Sequence, residues 1–381
     1  MGGLFLKRKR EESGLRYFNY LTADEEKALF YLPPTSFHNH SRKEILAYSI
    51  GAALYMPATR PTFAEDIAFG KIEGLVSVII DLEDAVGENE VHAAEESLVN
   101  QMNKLATFME VGILHTDNLP LLFVRVRSVN QLNYLIERLE ENVALLTGFV
   151  FPKFTGDNGA AYFEILENYN DERPSSAPML YGLPILESGP VIYKESRTYT
   201  LQTIKEILEQ YKNLVLNVRI GATDFSSLFG LRRSPDMTIY DITPIRDCVA
   251  DIINIFGRVD ASYVISGPVW EYFPQKGLVR EVIMDKENGM IGKTIIHPTH
   301  IKPVQSLYAV THEEYTDATS IITNNNGDHG VIKSAYANKM NEIKPHLSWA
   351  RRILLRSQIY GVLHEQQQYD GLLLKHNRAY V

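Results

Sequence analysis

Apolar residues fall into eight short runs along the chain, each closed by polar residues, glycine or proline. They are "ALYMPAT" (53–59), "VSVIIDLED" (76–84), "PLLFVRVRS" (120–128), "LTGFVFPKF" (146–154), "PMLYGLPILES" (178–188), "LVLNVRIGATD" (214–224), "SYVISGP" (262–268) and "GKTIIHP" (292–298). Between them lie stretches with the spacing of an amphipathic helix, such as "NQLNYLIERLEENVALL" and "LQTIKEILEQYKN". Nearly continuous apolar strands alternating with helices predict a parallel sheet buried on both faces. Eight such units over about 250 residues predict an α/β fold of the (β/α)8 TIM-barrel type. Residues 1–50 form an N-terminal extension to the barrel at 51–300. Residues 301–381 read as helices without strands: "HEEYTDATSIIT", "GVIKSAYANKMNEI" and "LSWARRILLRSQIYGVLHEQQQ", with "NNNGDHG" as a turn.

Composition narrows the function classes. The 381 residues are 45% hydrophobic and carry a net charge of −9, with a pI near 5.7, against the basic balance of a nonspecific nucleic-acid binder. The basic run at Lys7 to Arg10 reads as a solvated tail. No apolar run approaches the roughly 18 residues of a membrane span, and the first residues lack the apolar core of a signal peptide. Cys248 is the lone cysteine, so disulfides and thiolate zinc sites are not expected. A cytoplasmic protein is the expectation.

In a TIM barrel the active site lies at the C-terminal ends of the strands. The charged residues placed there are Arg60, Asp81, Glu83, Asp84, Arg125, Arg127, Lys153, Glu187 and Asp224, with His297 at the last strand. Three carboxylates within four positions repel one another unless cations, hydrogen bonds or water hold them. Glu187 and Asp224 end neighbouring strands and suit Mg2+, which takes few protein ligands; equally, each could cap a following helix. Arg125 and Arg127 share one side by period-2 alternation, and Arg125 either grips a substrate carboxylate or pairs with the acids nearby. His297 reads as a structural histidine or a base, and His38 and His40 are a pair without a third ligand. Arg232 and Arg233 read as a phosphate contact or a solvated loop.

Taken in order, these motifs resemble those of the superfamily containing citrate lyase beta subunits, malyl-CoA lyases and metal-dependent HpcH/HpaI-type aldolases. "LYMPATRP" resembles its "LFVPGxRP", "DLEDAV" is identical to its second-strand motif, and "VRVR" resembles "VRVN". "FPK", "ILES", "GATDF" and "GKTIIHPTHI" follow as "PK", "IET", "GxxDL" and "GKxxIHPxQ", over roughly residues 53–300. "GATDFSSLFGLRRS" is most similar to a branch of TIM-barrel C–C bond lyases encoded with bacterial tellurite-resistance genes.

The resemblance implies a Mg2+-dependent lyase in which Glu187 and Asp224 ligate the metal. Arg125 would orient the substrate carboxylate, with Glu83 and Asp84 beside the metal waters or the substrate. The other substrate-binding candidates are Arg60, Arg127 and Lys153. "NKMNEIKPH" resembles the family's C-terminal lid segment, which makes residues 301–381 a helical lid. Glu342 then stands as a catalytic acid or base that reaches a neighbouring subunit, so a homo-oligomer is implied. The substrate is a small carboxylate, free, phosphorylated or as a CoA thioester. Ala58, Arg127 and His300 depart from the family pattern. Ala58 bears on CoA use, and the extra Arg127 implies a more anionic substrate, phosphorylated or dicarboxylic. A thioester hydrolase on the same scaffold and a noncatalytic metabolite-binding subunit are the alternatives.

Overall fold

The computed structural model describes residues 14–174 and 177–374; the basic run at 7–10 lies outside them. After a short strand β1 (Phe30–Leu32) come β2 (Ala52–Pro57), β3 (Ser77–Asp81), β4 (Leu121–Arg125), β5 (Gly148–Phe151), β6 (Tyr181–Leu186), β7 (Val218–Ile220), β8 (Ile265–Trp270) and β9 (Lys293–Ile295). These last eight strands pair in parallel, in sequence order, and β9 closes on β2. All eight expected strands are present, each shorter than its apolar run.

Burial explains why the pattern was continuous rather than alternating. Every residue of β3, β4 and β5 is buried, because side chains of one set fill the barrel and those of the other meet the surrounding helices. The helix Val91–Glu110 shows the matching stripe, burying Ala94, Leu98, Met102 and Leu105 at intervals of three and four. Each fully buried leucine of this kind contributes about 1.5–3 kcal/mol.

The N-terminal extension seals the floor of the barrel, where the strands begin. Tyr17 is fully buried, donates its hydroxyl to the Ser49 carbonyl at 2.7 Å and stacks on Tyr360 with ring centroids 4.3 Å apart. Tyr360 in turn donates to the Tyr48 carbonyl at 2.8 Å. The C-terminal part packs on the same end: the helix Ile343–Tyr360 sends Arg352 to the Gly257 carbonyl, just ahead of β8. It shares a small core of Val310, Ala318, Ile321, Ala350, Ile353 and Val362 with the helix His312–Thr323.

One expectation needs correction here. Residues 331–342 are not helical but form an antiparallel hairpin of β10 (Val331–Lys333) and β11 (Met340–Glu342). Its turn carries Ala337 at φ 57°, a left-handed conformation that no helix interior contains. Asp317 of the preceding helix fixes the pairing by accepting from Ser334 at 2.7 Å and Asn341 at 2.8 Å. A last strand, β12 (Val362–Leu363), pairs antiparallel with β1.

Candidate active site

The mouth of the barrel opens into a cavity of about 530 Å3 lined by the ends of β2, β3, β4 and β6 to β9. Asp81, the last residue of β3, is buried and organises the loop that follows. Its carboxylate accepts from the backbone N–H of Glu83 at 2.9 Å and of Ala85 at 3.2 Å. The same carboxylate takes a bidentate pair of bonds from Arg125, both 2.6 Å, across the adjacent strand end. Burial opposes the charge on Arg125, but Asp81 more than offsets this and its pKa lies well above the ordinary value. The remaining nitrogen, Nη1, meets Asp84 at 2.9 Å and Glu83 at 3.0 Å.

Lys153 follows β5 with φ 47°, a left-handed backbone that turns its N–H onto Glu187 Oε1 at 2.7 Å. Its ammonium pairs with Glu83. Glu187, just past β6, is only 4% exposed, and its carboxyl is pushed up to about 8 by burial and then by the negative charge of Asp224. Asp224 sits in the first turn of the helix Ala222–Leu228. Its pKa is also raised, by burial first and by Asp84 next. Gly221 makes this closeness possible, since a Cβ there would lie 2.2 Å from a Glu187 carboxylate oxygen. Glu83 and Asp84 diverge: burial raises the first, while hydrogen bonding to Glu83 and the charge of Arg125 overcome burial and lower the second.

Five carboxylates therefore crowd this end against the side chains of Arg125 and Lys153, while Glu271, paired with Arg233, and the more deeply set Arg219 also line the cavity. The raised values of Glu187 and Asp224 are the mark of a site short of positive charge, and a divalent cation with oxygen preference fits that deficit. Among the described residues no three His, Cys, Asp or Glu side chains converge at ligand spacing. The protein thus offers two carboxylates, and water or substrate would complete the shell, as Mg2+ prefers.

Three sequence candidates stand elsewhere. Arg60 does not line the cavity; it binds Asp66 at 2.7 Å on the surface side of the first loop. Arg127 lies one residue beyond the strand-like bond of Val126 to Val150 and does not line the cavity. Its guanidinium instead donates to the carbonyls of Leu82, Glu83 and Val86 and to Glu88, holding the acidic loop in shape. Its charge is spent on this loop, which removes the reason to expect a more anionic substrate from Arg127. Glu342 is exposed at the end of β11, and among the described residues no cavity-lining residue lies beyond Ile296. The described C-terminal residues do not line the mouth of their own barrel.

His297 caps the short turn after β9, with Nδ1 2.8 Å from the Thr299 hydroxyl, and lies outside the cavity. His38 Nδ1 accepts the His40 N–H in the N-terminal extension. Arg233 is buried and paired with Glu281, so it is not a solvated loop residue. Sequence reading missed Arg219, Tyr55, Thr294 and Glu271, which all line the cavity. The signal for Arg219 was present: an arginine inside the apolar run 214–224, not at its end.

A family profile described as C–C bond lyase of the TIM-barrel fold matches residues 44–362. The chain belongs to that family. Membership accords with the closed eight-stranded barrel and with the acidic mouth. No curated protein sequence matches this C–C bond lyase chain. Among solved structures it is similar to a Burkholderia xenovorans LB400 citrate lyase, with a TM-score of 0.61 and 15% identity over 84% of this chain and 95% of that one. It is also similar to Mycobacterium tuberculosis CitE in complex with magnesium, acetoacetate and coenzyme A. There the TM-score is 0.53 and the identity 20%, over 82% of this chain and 99% of that one. At these identities the likeness speaks to the fold. No described helix is long and apolar enough to cross a membrane.

Proposed function

We propose that this family member is a Mg2+-dependent lyase that makes or breaks a carbon–carbon bond next to a carboxylate. The substrate is a hydroxy or keto acid, free or as its acyl thioester. The observation that carries the reading is buried Glu187 beside half-buried Asp224, both raised in pKa and facing a cavity shared with Arg125. The magnesium, acetoacetate and coenzyme A bound by the M. tuberculosis protein agree with it.

Glu187 and Asp224 would hold the metal, and the chemistry it supplies when bound is charge stabilisation at an oxygen that turns negative as the bond breaks. Arg125 is anchored on Asp81, so its Nη1 is the exchangeable edge. The partners there are Glu83 and Asp84, and Asp84, whose side chain is 55% exposed, is the one free to yield to a substrate carboxylate. Such an exchange would orient the substrate through a charge-assisted hydrogen bond from Nη1. Glu83, raised in pKa and held by Lys153 and Arg125 beside the cavity lining, would serve to hold a proton for the reaction. Glu342 stands at the far end of its own barrel. Its role as lid acid or base requires a second copy of the chain, hence a homo-oligomer.

Calorimetric titration of Mg2+ into wild type and Glu187→Gln, with and without pyruvate, tests the reading. Expected are binding in the wild type that the keto acid tightens, and none in the variant. Absence of Mg2+ binding in the wild type with pyruvate present would overturn it. Release of free thiol from an acyl thioester with no keto acid formed would identify a hydrolase instead.

A further inference from the structure

Arg219 lies in the middle of β7 and points into the barrel rather than towards the helices. It is 2% exposed, yet it lines the same cavity as Glu187 and Arg125. Its donors go to neutral oxygens only, Thr294 Oγ1 at 2.5 Å and Asn217 Oδ1 at 3.4 Å, with the Tyr55 hydroxyl beside it. Among the described residues it forms no ion pair with a carboxylate. A guanidinium buried without an anion costs folding free energy, and five acids stand nearby that could have been its partner. They are held one level higher. Arg219 pairs in register with Ile185, two residues below Glu187, and Tyr55 lies two residues below Pro57, which is level with Asp81 and Arg125. Two residues of strand correspond to about 6–7 Å of depth. The Tyr55 ring bridges the levels, since Arg125 sits over it at 5.1 Å.

The cavity therefore has two cationic forks at two depths, one fed by acids and one unfed. We infer that Arg219, with Tyr55 and Thr294, binds a second carboxylate of the substrate, at the floor of the cavity. The substrate is then a short dicarboxylic keto or hydroxy acid, its reacting carboxylate at Arg125 and its distal one at Arg219. A planar fork flanked by two hydroxyls matches a carboxylate. This inference rests on the lyase reading above and adds the substrate class to it.

The experiment compares matched four-carbon keto acids, freshly dissolved oxaloacetate and 2-oxobutanoate, by calorimetry with saturating Mg2+, in wild type and Arg219→Met. Wild type is expected to bind oxaloacetate at least tenfold more tightly. In Arg219→Met that preference disappears while the 2-oxobutanoate affinity stays within twofold. Equal Mg2+-dependent binding of both acids by the wild type overturns the role of Arg219 and leaves the lyase reading standing. So does a preference that survives in the variant, or an equal weakening of both acids, which marks a general countercharge. Tighter binding of 3-phosphonopyruvate than of oxaloacetate overturns the carboxylate assignment. Failure of every acid to bind overturns the lyase reading and this inference with it. The wild-type ranking needs no variant, and Arg219→Lys, which keeps the charge and loses the fork, is the second substitution.

Discussion

The protein contains two acidic clusters, one wholly buried and one buried in part, and they differ in how their charge is met. Behind the barrel, Lys293 of β9 is fully buried and contacts Glu281 at 2.7 Å and Asp285 at 2.8 Å. Arg233 completes the set on Glu281, the backbone N–H of Ile239 donates to the same carboxylate at 2.7 Å, and Tyr240 donates to Asp285. Each oxygen of Glu281 and Asp285 has a partner there, and Arg233 also reaches a third carboxylate, Glu271, at 3.3 Å. At the mouth, Asp81, Glu83, Asp84, Glu187 and Asp224 meet the side chains of Arg125 and Lys153. Burial alone therefore does not mark a functional site. The mark is burial with a charge deficit that opens on a cavity.

The comparison breaks most decisively at Glu187. With Mg2+ present, Glu187→Gln or Asp224→Asn is expected to reduce turnover by about a thousandfold or more, the scale of losing a charge-stabilising group. Without metal the same Glu187→Gln change should stabilise the fold, because an amide is tolerated where an ionised carboxylate is not. The sign follows from the raised pKa. A carboxyl moved from 4.5 to about 8 contributes most below 4.5, and the contribution is lost as pH rises to 8. Wild type should fall behind the variant over that window, by about 1–3 kcal/mol at pH 7, in urea melts run with chelator. No widening of the gap between pH 4.5 and 8 would mean that the mouth is not short of positive charge.

The second cluster responds in the opposite way. Lys293→Met leaves Glu281 and Asp285 buried against Arg233 alone and should cost about 3–5 kcal/mol. A shift of the urea midpoint measures it, and a loss below 1 kcal/mol would erase the contrast between the clusters.

A smaller effect sharpens the contrast at a third place. Glu314 accepts from Arg356 at 2.7 Å, and although burial works against its charge, Arg356 and the Thr311 N–H bring its carboxyl down to about 2. Glu314→Gln should cost about 1–3 kcal/mol at neutral pH. A depressed carboxyl contributes above its unfolded value and is lost below, so the deficit should shrink as pH falls from 4.5 towards 2. The smallest effect is expected at Arg60→Ala. Its half-exposed guanidinium pairs with buried Asp66, which keeps Lys71 and Thr62 as partners, so the loss should stay at about 1 kcal/mol and the KM for substrate should change less than twofold.

These residues also show how much of the fold and of the site is legible in the sequence. The eight strands are, because buried parallel strands write themselves as unbroken apolar runs such as 76–84. Asp81, Glu187 and Asp224 were found by position, since the end of a barrel strand is a place one can count to. Arg60 and Arg127 met the same positional test, yet their charges are consumed by neighbours. Which donor pairs with which acceptor depends on loop paths, and loops carry no period. Arg219 was hidden because it sits within a run rather than at its end. The hairpin at 331–342 was misread because Val331, Ile332, Met340 and Ile343 offer spacing to either structure, while Asp317, from another element, decides. β1 was beyond any local reading, as its partner β12 lies at the other end of the chain.

That last pairing has a consequence for how the chain is made. Thr35 bonds the Gln358 carbonyl across 323 residues of sequence, and Tyr17 stacks on Tyr360. During synthesis the first aromatic residues emerge long before the segment that covers them. Their apolar surface must wait, exposed or borrowed by a chaperone, until nearly the whole polypeptide has left the ribosome. Truncations from the C-terminal end are therefore expected to act at the floor as well, uncovering Tyr17 and Phe30 and trading solubility for nothing gained at the mouth.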